Sequence, residues 1–328
     1  EHGHQKKDIA ALVDWLSTQP RPDVVHFTNL LIGGCIPLLK DRLGCRVVVT
    51  LQGDDIFLDS LPEPFRSQAI DEMQRLVPFV DRFVVNSRYY AAEMSQMLAI
   101  PQEQIDIAPL TIDTSDFEQP ALPDRAARLK SSRDRSIGYM ARLAAEKGMH
   151  VHVEEFRQLK AQPGTDHIRL KIAGWLGAHR REFVDEQFRL LREAGLADAF
   201  EHVGEVDRAG KVAFLHDIDV LCVPTTYRDP KGLFALEALA AGTPVVLPAH
   251  GGFPELIDRL GGGRLVPPEN PQALAAALAE LLAGDDERLH LGETGRAATL
   301  AHAGTKALRD TTLATYARLL AADASGAD

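Results

Sequence analysis

Residues 223–257, VPTTYRDPKGLFALEALAAGTPVVLPAHGGFPELI, constrain the fold of this chain more than any other stretch. The apolar run that closes at Pro224 reads as a buried strand, and residues 227–231, broken by Pro230, read as a polar loop. Gly232 opens a helix over residues 233–241, which stops at Gly242 with Pro244 just beyond, a glycine and proline placement that closes helices. The run TPVVLP is a second buried strand, and His250, Gly251 and Gly252 turn the chain into the next helix. Strand, loop, helix and strand in that order form a βαβ unit, so the sheet is parallel and ligands bind at the carboxyl ends of its strands.

The helix over 233–241 is apolar on every face except at Glu237, and a helix apolar all round is buried. Leu233 precedes Glu237 by one turn and Ala240 and Ala241 follow by one turn, so the carboxylate projects from the interior-facing side and needs a partner. At the start of the helix the backbone N–H groups of Gly232, Leu233 and Phe234 offer a site for an anion or a ligand oxygen. A polyhydroxylated, phosphorylated ligand satisfies both features.

The same alternation runs through the rest of the chain. Short apolar strands are expected at 23–29, 46–51, 81–86 and 105–110, and again at 136–141, 169–174, 200–204, 220–224 and 243–248, with helical segments between them. Residues 116–135 are polar, contain prolines and carry no strand. Asn270 caps a helix over 271–283 that Gly284 ends, and an amphipathic helix is expected over 305–322. The reading is α/β, two Rossmann-like doubly wound domains: 1–118, a linker at 119–135, and 136–304. With 328 residues and 45% hydrophobic content, the chain has enough apolar side chains for two cores.

A formal charge of −11 argues against nucleic acid or an anionic membrane as the main partner. Cys35, Cys45 and Cys222 are odd in number and form no CxxC, which points to a reducing, cytoplasmic setting. No signal peptide is visible, and the longest apolar run, 30–39, is interrupted by Pro37 and two glycines, so no membrane span is expected and membrane contact, if any, is peripheral. The chain opens on a helical pattern without an initiator Met, and its first domain shows four strands against five in the second. An upstream part of the first domain is therefore expected.

The block GYMARLAAEKG, 138–148, joins a strand to the helix after it and places Arg142 and Lys147 five residues apart, a pair of cations suited to a diphosphate. Two such cations are more often no more than surface charges at a helix start, and a position at a strand's carboxyl end narrows those odds. Asp229 and Glu237, eight residues apart, would lie ~12 Å apart along one helix, beyond the roughly 5 to 9.5 Å of a glycosidase pair. Pro230 and Gly232 break the helix and leave Asp229 on a loop, so two separate ligand contacts are expected. Gly53, Asp54 and Asp55 read as a solvated or capping loop, and the scattered histidines, His150 and His152 among them, show no HExxH spacing, so no metal is expected. Gly33 and Gly34 do not form a GxGxxG, which removes the main support for a nicotinamide cofactor.

With these residues in place, the chain resembles the family 4 glycosyltransferases, retaining enzymes of the GT-B architecture, whose two Rossmann-like domains face a cleft. GYMARLAAEKG is similar to that family's G-x-L-x-x-x-K-G block, and DPKGLFALEALAAGTPVV to its E-P-F-G-L-x-x-L-E-A-M-A-x-G-x-P-V-V block. By this resemblance Arg142 and Lys147 hold the donor diphosphate, Asp229 meets the donor sugar and Glu237 the ribose hydroxyls. The amides of Gly232, Leu233 and Phe234 face sugar and phosphate, while Gly204, Glu205 and Val206 line the base pocket. Gln52, Gly53 and Asp54 belong to the acceptor side, and the helix at 305–322 returns toward the first domain. Two positions depart from the pattern: Asp229 stands for a glutamate, and Gln52 for a frequent histidine, which restricts it to hydrogen bonding.

The implied reaction moves a sugar from a nucleotide diphosphate sugar, UDP- or GDP-linked, to a hydroxyl of a glycan, a lipid-linked acceptor or a small molecule, with retention and without metal or cofactor. The alternatives are a nucleotide-sugar-binding protein without transfer activity and a GT-B-shaped sugar-nucleotide epimerase. The family opens with a strand and a glycine-rich loop that this chain does not show, whereas the donor half, 136–304, matches throughout. Nucleotide binding without efficient transfer is therefore expected of these 328 residues.

Overall fold

The computed structural model describes residues 6–118 and 134–325. Two units emerge, one of Glu1–Leu110 with Leu308–Asp328 and one of Thr111–Ala307. The linker expected at 119–135 falls outside the described residues except for its last two.

In the first unit, runs of β-branched residues make four parallel strands in sequential order: β1 (Val24–Phe27), β2 (Arg46–Thr50), β3 (Arg82–Val85) and β4 (Ile105–Ile107). All four were expected from the sequence. Successive side chains of a strand face opposite ways, so Val47 and Val49 join Phe83, Val85, Ile36 and Met94 on one face, while Val48 and Val84 meet Leu319 of the helix Thr305–Ser325 on the other. Both faces are thus covered, as a parallel sheet requires.

Among its described residues the second unit holds six parallel strands, one more than the sequence suggested: β5 (Arg135–Met140), β6 (Ile168–Ala173), β7 (Phe200–Gly204), β8 (Val220–Cys222), β9 (Val245–Pro248) and β10 (Gly263–Val266). The strand missed, β10, follows two glycines and starts on a third, a composition that reads as loop. A glycine is needed there, because a Cβ on Gly263 would lie 2.7 Å from the Val245 carbonyl oxygen of β9. The spatial order is β10-β9-β8-β5-β6-β7. The chain runs outward from β5 to β7, returns to lay β8 against the other side of β5, and continues outward to β10. Between β5 and β8 the winding reverses, and in open α/β sheets ligands bind outside the carboxyl ends of the strands at such a reversal.

The helix Leu233–Ala240 starts after Gly232, whose φ of 67° is a left-handed conformation that suits glycine. Its later residues are buried, but Leu233 is 47% exposed, contrary to the expectation of burial all round. A helical Cβ leans toward the amino terminus, so the first side chain of this helix points past the end of the sheet rather than onto it. Among the described residues no helix is long and apolar enough to cross a membrane.

Candidate functional site

The loop from β5 to the helix Met149–Lys160 carries Arg142 and Lys147. It turns at Gly148, with φ of 72°, where a Cβ would stand 1.7 Å from the Pro224 carbonyl oxygen just beyond β8. The loops on the two sides of the winding reversal therefore touch backbone to backbone, at a point where only glycine fits. The buried Tyr139 hydroxyl lies 3.2 Å from the Arg142 carbonyl oxygen and 3.3 Å from that of Lys147, and so ties both ends of the loop to the sheet.

Across the reversal, Lys147 Nζ reaches Asp229 Oδ2 at 2.7 Å. The other carboxylate oxygen, Oδ1, accepts the backbone N–H groups of Lys231 at 2.9 Å and Gly232 at 3.0 Å. Asp229 is only 6% exposed. Burial alone would raise its pKa, but the Lys147 charge and the hydrogen bonds from Lys147, Gly232 and Lys231 outweigh it and hold the carboxyl below its ordinary value. Behind the pair, Gly252 N–H donates to the Asp229 carbonyl at 2.9 Å, and a Cβ on Gly252 would come within 2.7 Å of the Pro230 carbonyl oxygen. The turn at His250–Gly252 is thus packed against the Asp229 loop, with His250 Nε2 2.8 Å from the Thr225 carbonyl oxygen.

The two cations expected to act together have different surroundings. Lys147 is largely buried and committed to Asp229, with its ammonium 5.8 Å from the Phe234 ring centre and 5.9 Å from that of Tyr227. Arg142 is half exposed and stands 3.5 Å from Glu146, which also faces Arg180 at 3.4 Å. The amide site expected at Gly232 to Phe234 is narrower than the sequence suggested, because Asp229 already occupies the Gly232 N–H. Leu233 and Phe234 remain the opening residues of the helix.

Glu237 has the partner its position demanded. Lys211 Nζ meets Glu237 Oε1 at 2.5 Å, and the carboxylate side chain is 12% exposed. Lys211 escaped the sequence reading. It sits on the helix Arg208–Asp217, which Asp207 caps by accepting the Gly210 N–H at 2.7 Å. Asp229 and Glu237 therefore belong to separate ion pairs. Gly204, with φ of 86°, ends β7 and has open space where a Cβ would be; its carbonyl accepts from Gly174 N–H at 2.9 Å. Glu205 is exposed and Val206 half-buried in the loop that follows.

In the first unit, Gln52, Gly53 and Asp54 leave the carboxyl end of β2. Gln52 Nε2 donates to the Thr28 carbonyl at 3.1 Å. The Tyr90 hydroxyl accepts the N–H groups of Gly53 at 2.8 Å and Asp54 at 3.0 Å and donates to Asp55 Oδ1 at 2.7 Å. Asp54 is buried rather than solvated; the loop folds onto the helix Arg88–Leu98 because that helix carries Tyr90. Among the described residues no group of three or more His, Cys, Asp or Glu side chains is placed to hold a metal ion.

The chain is similar to known proteins over most of its length. The pattern of the family described as glycosyl transferases group 1 matches residues 123–298, and that of glycosyltransferase family 4 matches residues 2–116. WcaL of Salmonella typhimurium, named for colanic acid biosynthesis, is 32% identical over 66% of this chain and 52% of its own length. A D-inositol 3-phosphate glycosyltransferase of Mycolicibacterium vanbaalenii is 28% identical over 91% of this chain and 67% of its own. The chain thus spans about half of the first relative and about two thirds of the second. Among solved structures, sucrose-phosphate synthase from Thermosynechococcus elongatus superposes with a TM-score of 0.78 at 23% identity, over 96% of this chain and 78% of that one. Anabaena Alr3699/HepE in complex with UDP and glucose gives 0.77 at 17%, over 97% and 83%. The chain belongs to the group 1 glycosyl transferases, the family 4 glycosyltransferases, and has their GT-B fold.

Proposed function

We propose that this protein transfers a sugar from a nucleotide diphosphate sugar to a hydroxyl acceptor with retention of configuration, and that its second unit binds the donor. The observation that carries the proposal is the buried Lys147–Asp229 pair at the reversal of a six-stranded parallel sheet. A buried charge pair is a weak source of stability, so its place at the ligand end of the sheet favours a functional reading.

In this reading Lys147 and Arg142 neutralise the charge that develops on the departing diphosphate, from different surroundings: one preorganised and largely buried, one half exposed to solvent. Asp229, already charge-compensated by Lys147 and held by two amides, holds Lys147 in place and accepts hydroxyls of the donor sugar. Glu237 accepts the ribose hydroxyls, which share or replace its bond to Lys211. Leu233 and Phe234 present their amides at the sugar, and Gly204, Glu205 and Val206 flank the base. Gln52, Gly53 and Asp54 serve the acceptor, and no metal or cofactor takes part. The Anabaena neighbour's complex with UDP supports a UDP-linked donor, with GDP as the other candidate. Retention rests on kinship with the family. Three buried free cysteines support a cytoplasmic setting.

The test is calorimetric titration with UDP and GDP, followed by a transfer assay in chelator with the anomeric configuration of the product read by NMR. Binding of a nucleoside diphosphate that Lys147→Ala weakens far more than binding of the nucleoside is the expected outcome. Absence of binding by the unaltered protein, inversion at the anomeric carbon, or activity restored only by Mg²⁺ or Mn²⁺ would each overturn the corresponding part.

A further inference from the structure

A nucleotide diphosphate sugar has two parts that need unlike partners: a charged diphosphate and a flat aromatic base. The charged groups at the reversal, Lys147, Arg142 and Asp229, answer to the first. The second unit also places an aromatic ring at the same end of its sheet that nothing so far uses. Trp175 follows β6, the strand next to β5, and is 47% exposed.

The backbone that carries this indole is tightly held. Trp175 accepts the Leu143 N–H at 2.9 Å through its carbonyl, which couples it to the loop of Arg142 and Lys147, and the preceding Gly174 donates to the Gly204 carbonyl at 2.9 Å, which couples it to the end of β7. Gly174, with φ of 146°, has no room for a side chain, since a Cβ would lie 1.8 Å from the Ala141 carbonyl oxygen. The ring itself is seated over Gly177, where a Cβ would stand 2.8 Å from Trp175 Cη2 and 3.1 Å from Cζ3. The backbone that bears this half-exposed indole is thus held between the loop that carries the cations and the end of β7, and the ring lies over Gly177 of its own loop.

Exposure of this kind is not general in the unit. Among its described residues, the exposed large apolar side chains are Trp175, Val203, Leu233 and Leu265, and the first three lie at or beyond the carboxyl ends of β6, β7 and β8. That is the end at which open α/β sheets bind their ligands. Aromatic side chains hold bases by stacking, which tolerates any base because every base has a π-face.

We propose that the Trp175 indole is the platform on which the donor's nucleobase stacks. The proposal rests on the donor reading of the reversal. It assigns the loop after β6 to recognition of the base and the loops after β5 and β8 to the charged part.

The chain contains two tryptophans, Trp175 and the exposed Trp15 of the first unit, so Trp15→Phe leaves Trp175 as the only indole. In that variant, UDP or GDP should quench the tryptophan fluorescence to saturation, uridine or guanosine should quench at higher concentration, and inorganic pyrophosphate should bind, by calorimetry, without quenching. In the otherwise unaltered chain, Trp175→Ala should weaken nucleoside diphosphate binding about tenfold to a hundredfold and leave pyrophosphate affinity unchanged, while Trp175→Phe should restore most of the loss. If the nucleotide binds by calorimetry but neither quenches Trp175 nor binds more weakly after Trp175→Ala, the platform is overturned and the donor reading stands. Equal losses for nucleotide and pyrophosphate would also overturn it, by making Trp175 a support of the loop. Failure of the unaltered chain to bind any nucleotide would overturn both.

Discussion

The two units solve the same folding problem with different winding, and the difference decides where charge can be presented. In the first, the described strands stand in sequential order and each loop leaves beside its predecessor. The groups there close on one another: Gln52 on Thr28, and the Gly53 and Asp54 amides with Asp55 on the Tyr90 hydroxyl. In the second, the order reverses between β5 and β8, and two loops that are distant in sequence must face each other. Lys147 and Asp229 meet there across 82 residues. A sequential winding leaves successive loops side by side, whereas a reversed one brings loops distant in sequence together.

Glycine substitutions give the largest contrast. Gly148→Ala adds a Cβ at 1.7 Å from the Pro224 carbonyl oxygen in a left-handed conformation, and should cost about 3–5 kcal/mol and abolish nucleotide binding. Gly53→Ala in the first unit, with φ of 111° but only the Ile56 side-chain tip at 3.7 Å, should cost only about 1–2 kcal/mol of backbone strain. Urea unfolding of each variant, with nucleotide titration of the folded protein, checks the pair; equal costs would mean that the two loops do not bear on each other at Gly148.

Next come the carboxylates of Asp229, which is buried, and Asp81, which is partly buried. Lys147→Ala leaves Asp229 buried without its ammonium partner and should destabilise the second unit by about 3 kcal/mol. Lys40→Ala should destabilise the first by only about 1 kcal/mol, because Asp81 keeps Arg46 at 2.8 Å and the Val47 N–H at 2.7 Å. Thermal unfolding in urea would show the order, and a larger loss from Lys40→Ala would contradict it.

A third comparison separates binding from support. Lys211→Ala frees Glu237 and should change nucleotide affinity severalfold with a stability loss of about 1 kcal/mol or less, since the lysine is partly exposed. Tyr90→Phe removes the hydroxyl under the loop after β2 and should cost about 1–3 kcal/mol with nucleotide affinity unchanged. Calorimetry on both variants decides, and loss of nucleotide binding in Tyr90→Phe would break the division of labour between the units.

The smallest effect is on acid sensitivity. Burial would raise the pKa of Asp229, but Lys147 and the amide bonds lower it; burial would likewise raise that of Asp81, but Lys40, Val47 and Arg46 lower it. A depressed folded pKa means that the unfolded chain takes up the proton first, so each carboxylate contributes stability above about pH 4 that is lost as pH falls through its folded value. Asp229→Asn should flatten the decline of stability below about pH 4 for the second unit only. An unchanged acid limb in both would show that Asp229 is not held in its charged form.

Much of the fold was legible in the chain itself. The four strands of the first unit and five of the second announced themselves as short apolar runs, and Asn270, Gly232 and Gly242 marked helix ends by local chemistry. β10 hid because a glycine-rich edge strand has no run of β-branched residues to reveal it. The burial of Asp54 hid as well, since adjacent acidic residues after a strand look solvated until Tyr90 is brought over them from 36 residues away.

What the sequence by itself determined is the type and order of the elements other than β10, and with them the family, because helix caps, strand patterns and the blocks around Lys147 and Glu237 act over a few residues. Only the tertiary structure decided which charges meet. Lys211 with Glu237, Lys147 with Asp229, and Trp175 between the loops of Leu143 and Gly204 depend on strand order. That order is set when both faces of a parallel sheet are buried at once. Each of these contacts joins segments that only the finished sheet brings together.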